Sequence, residues 1–256
     1  MMRKSVSKLL GFFFVLSIIA INYPLPSWAE NEMNLVYFHN YPPFSWKNKN
    51  HEMEGILIDV LDEALRIRMG IPVIHLGYPW KRAQKYVQQG TADAFCTVPT
   101  PERRKYTEIS TEPVIAPVFT LFAMAKNPRI EEIRTVRTIK DLKNFSLGHF
   151  LGAGWAKKNL AGLNVDWAFT LELTLKKLAH GRFDIHPGVS QVVRFEIRRL
   201  GLKDDLIEIP NVIDRKSFNL CVGKKSPYAN ILPRFDETLR KMRKHGVLKK
   251  IYDKYE

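Results

Sequence analysis

The sequence predicts an α/β fold built on parallel strands. Short apolar runs rich in β-branched and aromatic residues alternate along the chain with amphipathic stretches, and glycine or proline separates them. This alternation favours parallel strands joined by crossover helices. The apolar content of 45% and the charged content of 26% are typical of a globular protein. A chain of 256 residues is long enough for one large domain or two small ones with real cores.

Residues 1–29 have the form of a cleavable secretory signal peptide. A basic start precedes an apolar run from Leu9 to Ile21, and a small-residue pattern ends at Ala29. The run is shorter than the ~20 residues that span a bilayer, which argues against a membrane anchor. We therefore predict cleavage after Ala29 and a periplasmic mature protein.

The mature chain is strongly basic. The signal peptide contains three basic residues (Arg3, Lys4 and Lys8) and no acidic residue, so +11 of the formal charge of +14 remains. A basic protein can favour nucleic acid, anionic surfaces or acidic ligands. Export and the dispersed basic residues argue against nucleic acid. We expect a small anionic or zwitterionic solute as the ligand.

The first series of elements extends from residue 34 to residue 98. We predict strands at 34–39, 71–76 and 92–98, and helices at 55–69 and 80–89. In the first helix one face is apolar, and Gly70 and Pro72 end it. Segment 40–46 is predicted to be a loop, because Pro42 and Pro43 disfavour regular structure.

A second series follows a polar boundary at 129–138. Before the boundary, 114–125 is a long apolar run rich in β-formers. After it we predict strands at 146–150, 183–185 and 206–209, helices at 155–160, 171–180 and 190–200, and a tight turn at 152–154. The chain closes with a predicted strand at 218–223 and helices at 233–245 and 247–255. The sequence shows no internal repeat and no low-complexity segment.

An arginine-bearing loop after the 92–98 strand is the leading candidate for ligand binding. Open α/β sheets present ligand groups in such loops at the carboxyl ends of their strands. Arg103 suits this role, because a planar guanidinium can hold a carboxylate through two parallel hydrogen bonds. The alternative is an ordinary solvated charge run, which is our interpretation for Arg104 and Lys105.

Six short motifs are spread along nearly the whole mature chain. They are Tyr41-Pro42-Pro43-Phe44, Gly55-Ile56-Leu57-Ile58-Asp59, Gly90-Thr91-Ala92-Asp93-Ala94, Thr100-Pro101-Glu102-Arg103-Arg104-Lys105-Tyr106, Gly181-Arg182-Phe183-Asp184-Ile185, and Gly246 to Tyr255. In this order and spacing they resemble the periplasmic solute-binding proteins of the polar amino acid type, which are the family 3 extracellular binding proteins of ABC importers.

The resemblance implies a two-lobed α/β fold of the periplasmic-binding-protein type II. Each lobe would hold a mixed, mostly parallel sheet flanked by helices, and 114–125 and 218–223 would be the two hinge crossovers. The first lobe would comprise 30–122 and 217–256, and the second lobe 123–216. The implied function is capture of an amino acid or a related small carboxylate-bearing solute by hinge closure, for an ABC permease in the inner membrane. We expect a monomer that is not an enzyme, with no catalytic residue, cofactor or metal.

The candidate ligand-binding residues come from the resemblance and from their positions near predicted strand ends and helix starts. Arg103 matches the family arginine that binds the ligand carboxylate. Tyr41 matches the aromatic residue that stacks on the ligand, although packing on Pro42 and Pro43 is an alternative. The other candidates are Phe44, Trp46, Trp80, Arg82, Thr97, Val98, Gly152, Ala153, Gly154, His186 and Ser190.

One departure from the family pattern affects the choice of ligand. Amino acid binders usually carry an acidic residue just after the strand at 183–185, where it pairs with the ligand ammonium group. Here that region reads Asp184-Ile185-His186-Pro187-Gly188-Val189-Ser190, with no carboxylate in the expected place. His186, Ser190 or Gln191 could line the cleft there instead. A carboxylate or other anionic solute without the ammonium group therefore stays open beside a standard amino acid. A periplasmic enzyme resembling cyclohexadienyl dehydratase and a soluble sensor acting through a membrane receptor are the alternative functions.

The two cysteines, Cys96 and Cys221, lie in strand-like runs. An oxidising compartment permits one disulfide between them. Two buried free thiols fit the sequence equally well, because the spacing does not distinguish the two states.

Overall fold

A computed structural model describes residues 32–255, so the signal-peptide prediction for 1–29 lies outside the described residues. The strands are β1 (Met33–Phe38), β2 (Asn40–Tyr41), β3 (Ser45–Lys47), β4 (Met53–Glu54), β5 (Val73–Tyr78), β6 (Ala94–Thr97), β7 (Thr107–Ile109), β8 (Val118–Met124), β9 (Leu147–Phe150), β10 (Val165–Ala168), β11 (His186–Val189), β12 (Leu206–Arg215) and β13 (Asn219–Gly223).

The helices are α1 (Ile56–Leu61), α2 (Trp80–Gln89), α3 (Pro101–Arg104), α4 (Ile130–Thr135), α5 (Gly154–Asn159), α6 (Leu171–Ala179), α7 (Ser190–Leu200), α8 (Leu232–Lys244) and α9 (Val247–Asp253). A π-helical segment, Asp62–Arg68, continues α1, and 3₁₀ turns lie at Ile139–Asn144 and Ala229–Ile231. Within the part of the chain that the structure describes, no helix combines the length and the apolar character that crossing a membrane requires.

The first lobe is built on a five-stranded sheet in the order β5-β1-β6-β13-β7. Strands β1, β5 and β6 are parallel, whereas β13 is antiparallel to both β6 and β7. Buried apolar residues of β1, α1, α8 and α9 form its largest core cluster. Because the carboxyl ends of parallel strands meet at one edge, the segments after β1, β5 and β6 leave the sheet together.

The second lobe contains a three-stranded sheet, β11-β8-β12, and a parallel pair, β9-β10. Strand β8 is antiparallel to both of its neighbours. Phe122 packs with α6 and α7 on one face, and Leu121 packs with α4 and α5 on the other. The α/β class, the mixed sheets and the two-lobed fold are as predicted from the sequence.

Two chain segments connect the sheets of the two lobes and lie side by side. Ile115 and Phe218 form an antiparallel bridge, in which Phe218 N donates to Ile115 O at 2.9 Å. In the first segment, Thr111 N and Glu112 N each donate to the carboxylate of Asp236 on α8 at 3.0 Å. The first segment is therefore anchored on the first lobe immediately before it crosses.

The segments that cross between the lobes are shorter than the predicted crossovers, 114–125 and 218–223. All of β8 belongs to the second-lobe sheet and all of β13 to the first-lobe sheet, so the crossing itself falls within 110–117 and 216–218. The exact lobe boundaries at residues 122/123 and 216/217 stay a prediction.

Several short elements differ from the sequence-based expectation. The predicted 183–185 strand lies instead at His186–Val189, because those residues pair with β8 despite the turn-like Pro187-Gly188. The predicted loop 40–46 contains β2 and β3, with the two prolines in the turn between them. The boundary at 129–138 contains α4. Strand β12 is longer than the predicted 206–209, and β7, α3 and β10 were not predicted.

The two cysteines are both buried and both free. In the pairing of β6 with β13, Cys96 lies opposite Leu220 and Cys221 lies opposite Phe95. Cys96 and Leu220 belong to the core cluster on one face of the sheet, while Phe95 and Cys221 belong to the cluster on the other face. A disulfide between them is excluded in this fold, because the two thiols point away from each other.

Candidate ligand-binding site

Arg103 lies at the carboxyl edge of the first-lobe sheet, and three neighbours hold its guanidinium. Nη1 donates to the carbonyl oxygen of Val98 at 2.6 Å, and Nε donates to Gln84 Oε1 at 3.2 Å. The guanidinium carbon stands 5.2 Å from the centroid of the Trp80 ring, within the range of a cation–π contact. Three of the residues predicted for the site, Trp80, Val98 and Arg103, are therefore in contact.

The guanidinium of Arg103 is partly buried and lacks a counter-ion. Among residues 32–255 it forms no ion pair with a carboxylate, and its two hydrogen bonds go to neutral oxygens. Burial lowers the pKa of Arg103 below its ordinary value, although not enough to remove the charge. A half-buried cation without an acidic partner is suited to an anionic ligand.

Local sequence explains how this arrangement forms. Thr100 caps the short helix α3, accepting from Arg103 N at 3.4 Å, and Pro101 occupies the first turn. The cap orients α3 so that the Arg103 side chain returns to the end of β6. Sequence reasoning missed Gln84, which lies one helical turn after Trp80; the i, i+4 spacing on α2 was the signal that could have found it.

The predicted aromatic residues form two further groups. Tyr41 stands 5.3 Å from Phe44 between ring centroids, and Phe44 stands 5.3 Å from Phe218 at the crossover. Phe44 is fully buried in the first-lobe core, and burial raises the pKa of Tyr41 to about 12. These rings pack in a row from β2 to the crossover segment at Phe218.

Trp46 bridges the two lobes. Its ring centroid is 5.7 Å from that of Phe195 on α7 and 6.0 Å from that of Tyr255, which follows α9. Trp46 therefore contacts the second lobe, but it does not contact Arg103.

Arg82 and Thr97 lie near the Arg103 group without bonding to it. The Arg82 side chain is exposed and forms no hydrogen bond or ion pair with the described residues, so it is a free cation near the start of α2. Thr97 is partly buried at the end of β6, opposite Asn219 of β13.

The predicted glycine turn of the second lobe follows β9. Gly152 has φ of +88°, a left-handed conformation that favours glycine, and α5 begins at Gly154. Gly152 and Gly154 are exposed, and a side chain at either position would meet no neighbouring atom within 4 Å. Ala153 packs against the second-lobe core. The turn lies at the carboxyl edge of β9, where Ala153 N donates to Phe150 O at 3.4 Å, and no contact joins it to Arg103.

His186 is fully buried within the second lobe. Its Nδ1 lies 2.9 Å from the Gly148 carbonyl oxygen, and its ring centroid is 4.8 Å from that of His149. His149 Nδ1 accepts from Phe150 N at 2.9 Å. Burial lowers the pKa of His186 to about 4, and burial together with the neighbouring His186 lowers that of His149 to about 3. The prediction that His186 lines the cleft does not match this packing. His186 is the first residue of β11, and its side chain lies inside the second lobe.

Ser190 is buried and bound to a carboxylate that the sequence analysis did not identify. Its Oγ donates to Glu208 Oε1 at 2.7 Å, as does Thr120 Oγ1 at 2.7 Å. Arg194 Nε donates to Glu208 Oε2 at 2.5 Å. Burial opposes ionisation of Glu208, yet these three hydrogen bonds outweigh it and hold the pKa of Glu208 below its ordinary value.

The carboxyl edge of the second lobe faces the first lobe at Val189. Val189 and Val192 pack against the core cluster of the first lobe, so the end of β11 and the start of α7 touch it directly. Among the described residues, no group of three or more His, Cys, Asp or Glu side chains is arranged to hold a metal ion.

Comparison with known proteins agrees with this architecture. Residues 33–256 match the bacterial extracellular solute-binding proteins, family 3. The "Probable amino-acid-binding protein YxeM" of Bacillus subtilis (strain 168) is 25% identical over 225 residues, which are 83% of this chain and 79% of that protein.

Two solved structures share the fold. An ancestral cationic amino acid solute-binding protein, AncCDT-1, has a TM-score of 0.69 and 22% identity, covering 88% of this chain and 95% of that one. A histidine kinase sensor domain similar to periplasmic binding proteins has a TM-score of 0.66 and 20% identity, covering 88% and 96%. The family match, which spans nearly all of the described residues, decides the assignment: this chain belongs to the bacterial extracellular solute-binding proteins of family 3.

Proposed function

We propose that the protein captures an amino acid or a related small carboxylate-bearing solute in the periplasm, closes its lobes over it, and delivers it to an ABC permease. Arg103 is the anchor for the solute carboxylate in this proposal. The single observation that carries it is the half-buried guanidinium of Arg103, which has two neutral hydrogen-bond partners and no carboxylate partner in residues 32–255.

The surroundings of Arg103 support this role. Gln84 and Val98 occupy Nε and Nη1, and neither bonds to Nη2, which is left for a ligand oxygen. Trp80 covers one side of the guanidinium plane and limits its movement. A charge fixed in one orientation and shielded from water binds a carboxylate more strongly than a mobile surface arginine.

The second lobe would contribute contacts that exist only when the lobes are together. The Gly152–Gly154 turn and the end of β11 are its candidate contributions. A ligand that touches both lobes stabilises the closed arrangement by its differential affinity for the two states.

The paired state of Glu208 bears on ligand class. Its carboxylate lies beside Ser190, close to where amino acid binders carry an acidic residue, but Arg194 already compensates its charge. Solutes that lack an ammonium group, such as organic acids, therefore belong in any ligand screen beside the amino acids.

A thermal-shift screen across amino acids and organic acids tests the proposal, because a ligand that binds only the folded state raises its melting temperature. Titration calorimetry then measures affinity for each hit in the wild type and in the Arg103→Ala variant. We expect the variant to lose at least about a hundredfold in affinity if the carboxylate–guanidinium pair is buried.

Arg104→Ala is the matched control. Arg104 is the next residue of the same helix, is exposed, and has no side-chain hydrogen bond or ion pair with the described residues. The control should bind like the wild type. An Arg103→Ala variant that loses less than about tenfold would refute the anchoring role.

The proposal also states that the protein does not convert its solute and that it serves import, and each point has its own test. Incubation of the protein with each hit, followed by mass spectrometry of the solute, distinguishes capture from turnover. Unchanged solute supports a binding protein, whereas catalytic conversion would favour an enzyme on this fold. Loss of solute uptake in cells lacking the protein tests the role in import.

A further inference from the structure

A cavity of about 470 Å³ lies between the two lobes on the side of the C-terminal helices, and Arg103 does not line it. Its walls come from α7 of the second lobe, from α8 and α9 of the first lobe, and from the crossover segment after β7. Its volume is within the range of small-molecule sites. Of the residues that the sequence suggested for the solute cleft, Gln191 does line this cavity.

The lining is cationic. Among residues 32–255, Arg194, Arg198 and Arg243 line the cavity together with one carboxylate, that of Glu112. Arg243 Nη1 pairs with Glu112 Oε2 at 2.6 Å, and Arg194 pairs with Glu208, which does not line the cavity. These pairs account for two of the three guanidinium groups.

Arg198 has no acidic partner in residues 32–255. Its Nη2 donates to the carbonyl oxygen of Tyr255 at 2.6 Å. The remaining N–H groups of this planar donor are available to an oxyanion. A net positive, partly enclosed lining concentrates anions, because low-dielectric walls strengthen the field inside a cleft.

Gln191 supplies a second and independent indication of a ligand. It lines the same cavity, and its Oε1 is buried without a hydrogen-bond partner among the described residues. A buried acceptor left without a partner costs free energy, so most such atoms in folded proteins are satisfied. A ligand that donates a hydrogen to Gln191 Oε1 and accepts from Arg198 would satisfy both groups.

We propose that this cavity is an anion-binding site for a small multivalent oxyanion that also carries a hydroxyl group, of the phosphate or hydroxy-carboxylate class. The oxyanion accepts from Arg198 and its hydroxyl donates to Gln191. Because the lining comes from both lobes, an occupant stabilises their contact and is coupled to solute binding by linkage. The site goes beyond the proposed solute site and does not depend on it.

Titration calorimetry with inorganic phosphate, at constant ionic strength and without solute, tests the inference. Citrate is titrated into the Arg103→Ala variant, which lacks the anchor proposed for organic acids. Constant ionic strength is needed because salt screens exposed charges. We expect saturable binding at one site per chain. Sulfate, which has no hydroxyl at neutral pH, should bind at least about tenfold more weakly than phosphate, because it leaves Gln191 unpaired.

Two variants locate the site. Arg198→Met should weaken phosphate binding by about tenfold or more, since it removes the guanidinium that has no acidic partner among the described residues. Arg199→Met is the matched control: Arg199 is the next residue of α7, and its guanidinium pairs with Glu172 and Glu196. The control should bind phosphate as the wild type does.

Gln191→Leu supplies a test that does not depend on the folding of an arginine variant. It should abolish the preference for phosphate over sulfate while leaving saturable binding of both. Arg103→Ala should leave phosphate binding unchanged, which separates a failure here from a failure of the proposed solute site. Non-saturating titrations with phosphate and citrate, an equal affinity for phosphate and sulfate in the wild type, or an equal loss in the Arg198→Met and Arg199→Met variants would overturn the inference.

Discussion

Two half-buried charged side chains, one in each lobe, have opposite surroundings. At the carboxyl edge of the first-lobe sheet, Arg103 has neutral partners and no counter-ion among the described residues. In the second lobe, Glu208 is surrounded by Ser190, Thr120 and Arg194, which all donate to it. The difference teaches that burial alone does not mark a ligand group: the unsatisfied charge is the one suited to a ligand, and the satisfied charge holds structure together.

The largest expected effect is on ligand binding by Arg103→Ala. Loss of the guanidinium should cost roughly 3–5 kcal/mol of binding free energy if the ion pair is buried. The free energy of unfolding should fall by less, about 1–3 kcal/mol, because two hydrogen bonds from the charged guanidinium and its contact with Trp80 are lost but no ion pair is broken. Calorimetry with the solute and urea denaturation measure the two quantities. An Arg103→Ala variant that loses much of its stability but keeps its solute affinity would show that Arg103 is structural and does not bind the ligand.

The second-lobe histidine pair predicts a loss of stability in acid. The pKa values of His149 and His186, about 3 and about 4 in the fold, lie below the ordinary value of 6.5, so the folded state binds fewer protons than the unfolded state. Their contribution is complete above pH 6.5 and is lost as pH falls toward 3. Each should remove about 2 kcal/mol between pH 7 and pH 5.

Urea denaturation at several pH values measures this dependence. The His149→Phe variant should show a shallower loss than the wild type. The His180→Gln variant, altered at an exposed residue at the end of α6, should keep the wild-type slope. Equal slopes in all three proteins would contradict the burial of the pair.

Removal of the Glu208 carboxylate should lower the free energy of unfolding and leave solute affinity nearly unchanged. Glu208→Ala leaves Ser190 and Thr120 without their acceptor and should lower the free energy of unfolding by about 2 kcal/mol. Glu172→Ala is the control: its ion pairs with Lys176 and Arg199 are exposed, so its cost should stay below about 1 kcal/mol. Solute affinity in Glu208→Ala should remain within about threefold of the wild type.

The smallest effect is expected for Ser190→Ala. The variant removes one of three hydrogen bonds to Glu208 and should cost about 1 kcal/mol of stability. A direct role of Ser190 in the site, as the sequence suggested, would instead appear as a loss of solute affinity at unchanged stability.

Long, periodic elements were predictable from the sequence, and short ones were not. The helix beginning near Gly55 and the strands at 34–39 and 71–76 carry clear apolar patterns, and the structure contains them with shifted ends. Strand β11 was misplaced, because Pro187 and Gly188 are typical of a turn, whereas pairing with β8 makes them a strand. Tertiary pairing overrode local propensity there.

The site could be predicted only where its residues follow parallel strands of one sheet. Trp80 follows β5, and Val98 and Arg103 follow β6. These parallel strands lie on either side of β1 and end at the same edge of the sheet, so sheet topology brings the three residues together. Glu208 is 18 residues from Ser190, and nothing in the spacing reveals that they bond. The state of the cysteines likewise depended on strand register, which places Cys96 and Cys221 on opposite faces.

The most direct test of the central claim is a cycle that removes the solute carboxylate and the Arg103 guanidinium separately and together. Calorimetry would compare the best solute with its neutral amide, in the wild type and in Arg103→Ala. If Arg103 binds the carboxylate, the amide should bind at least about a hundredfold more weakly to the wild type, and the variant should barely distinguish the two. An equal preference for the carboxylate in both proteins would contradict the account.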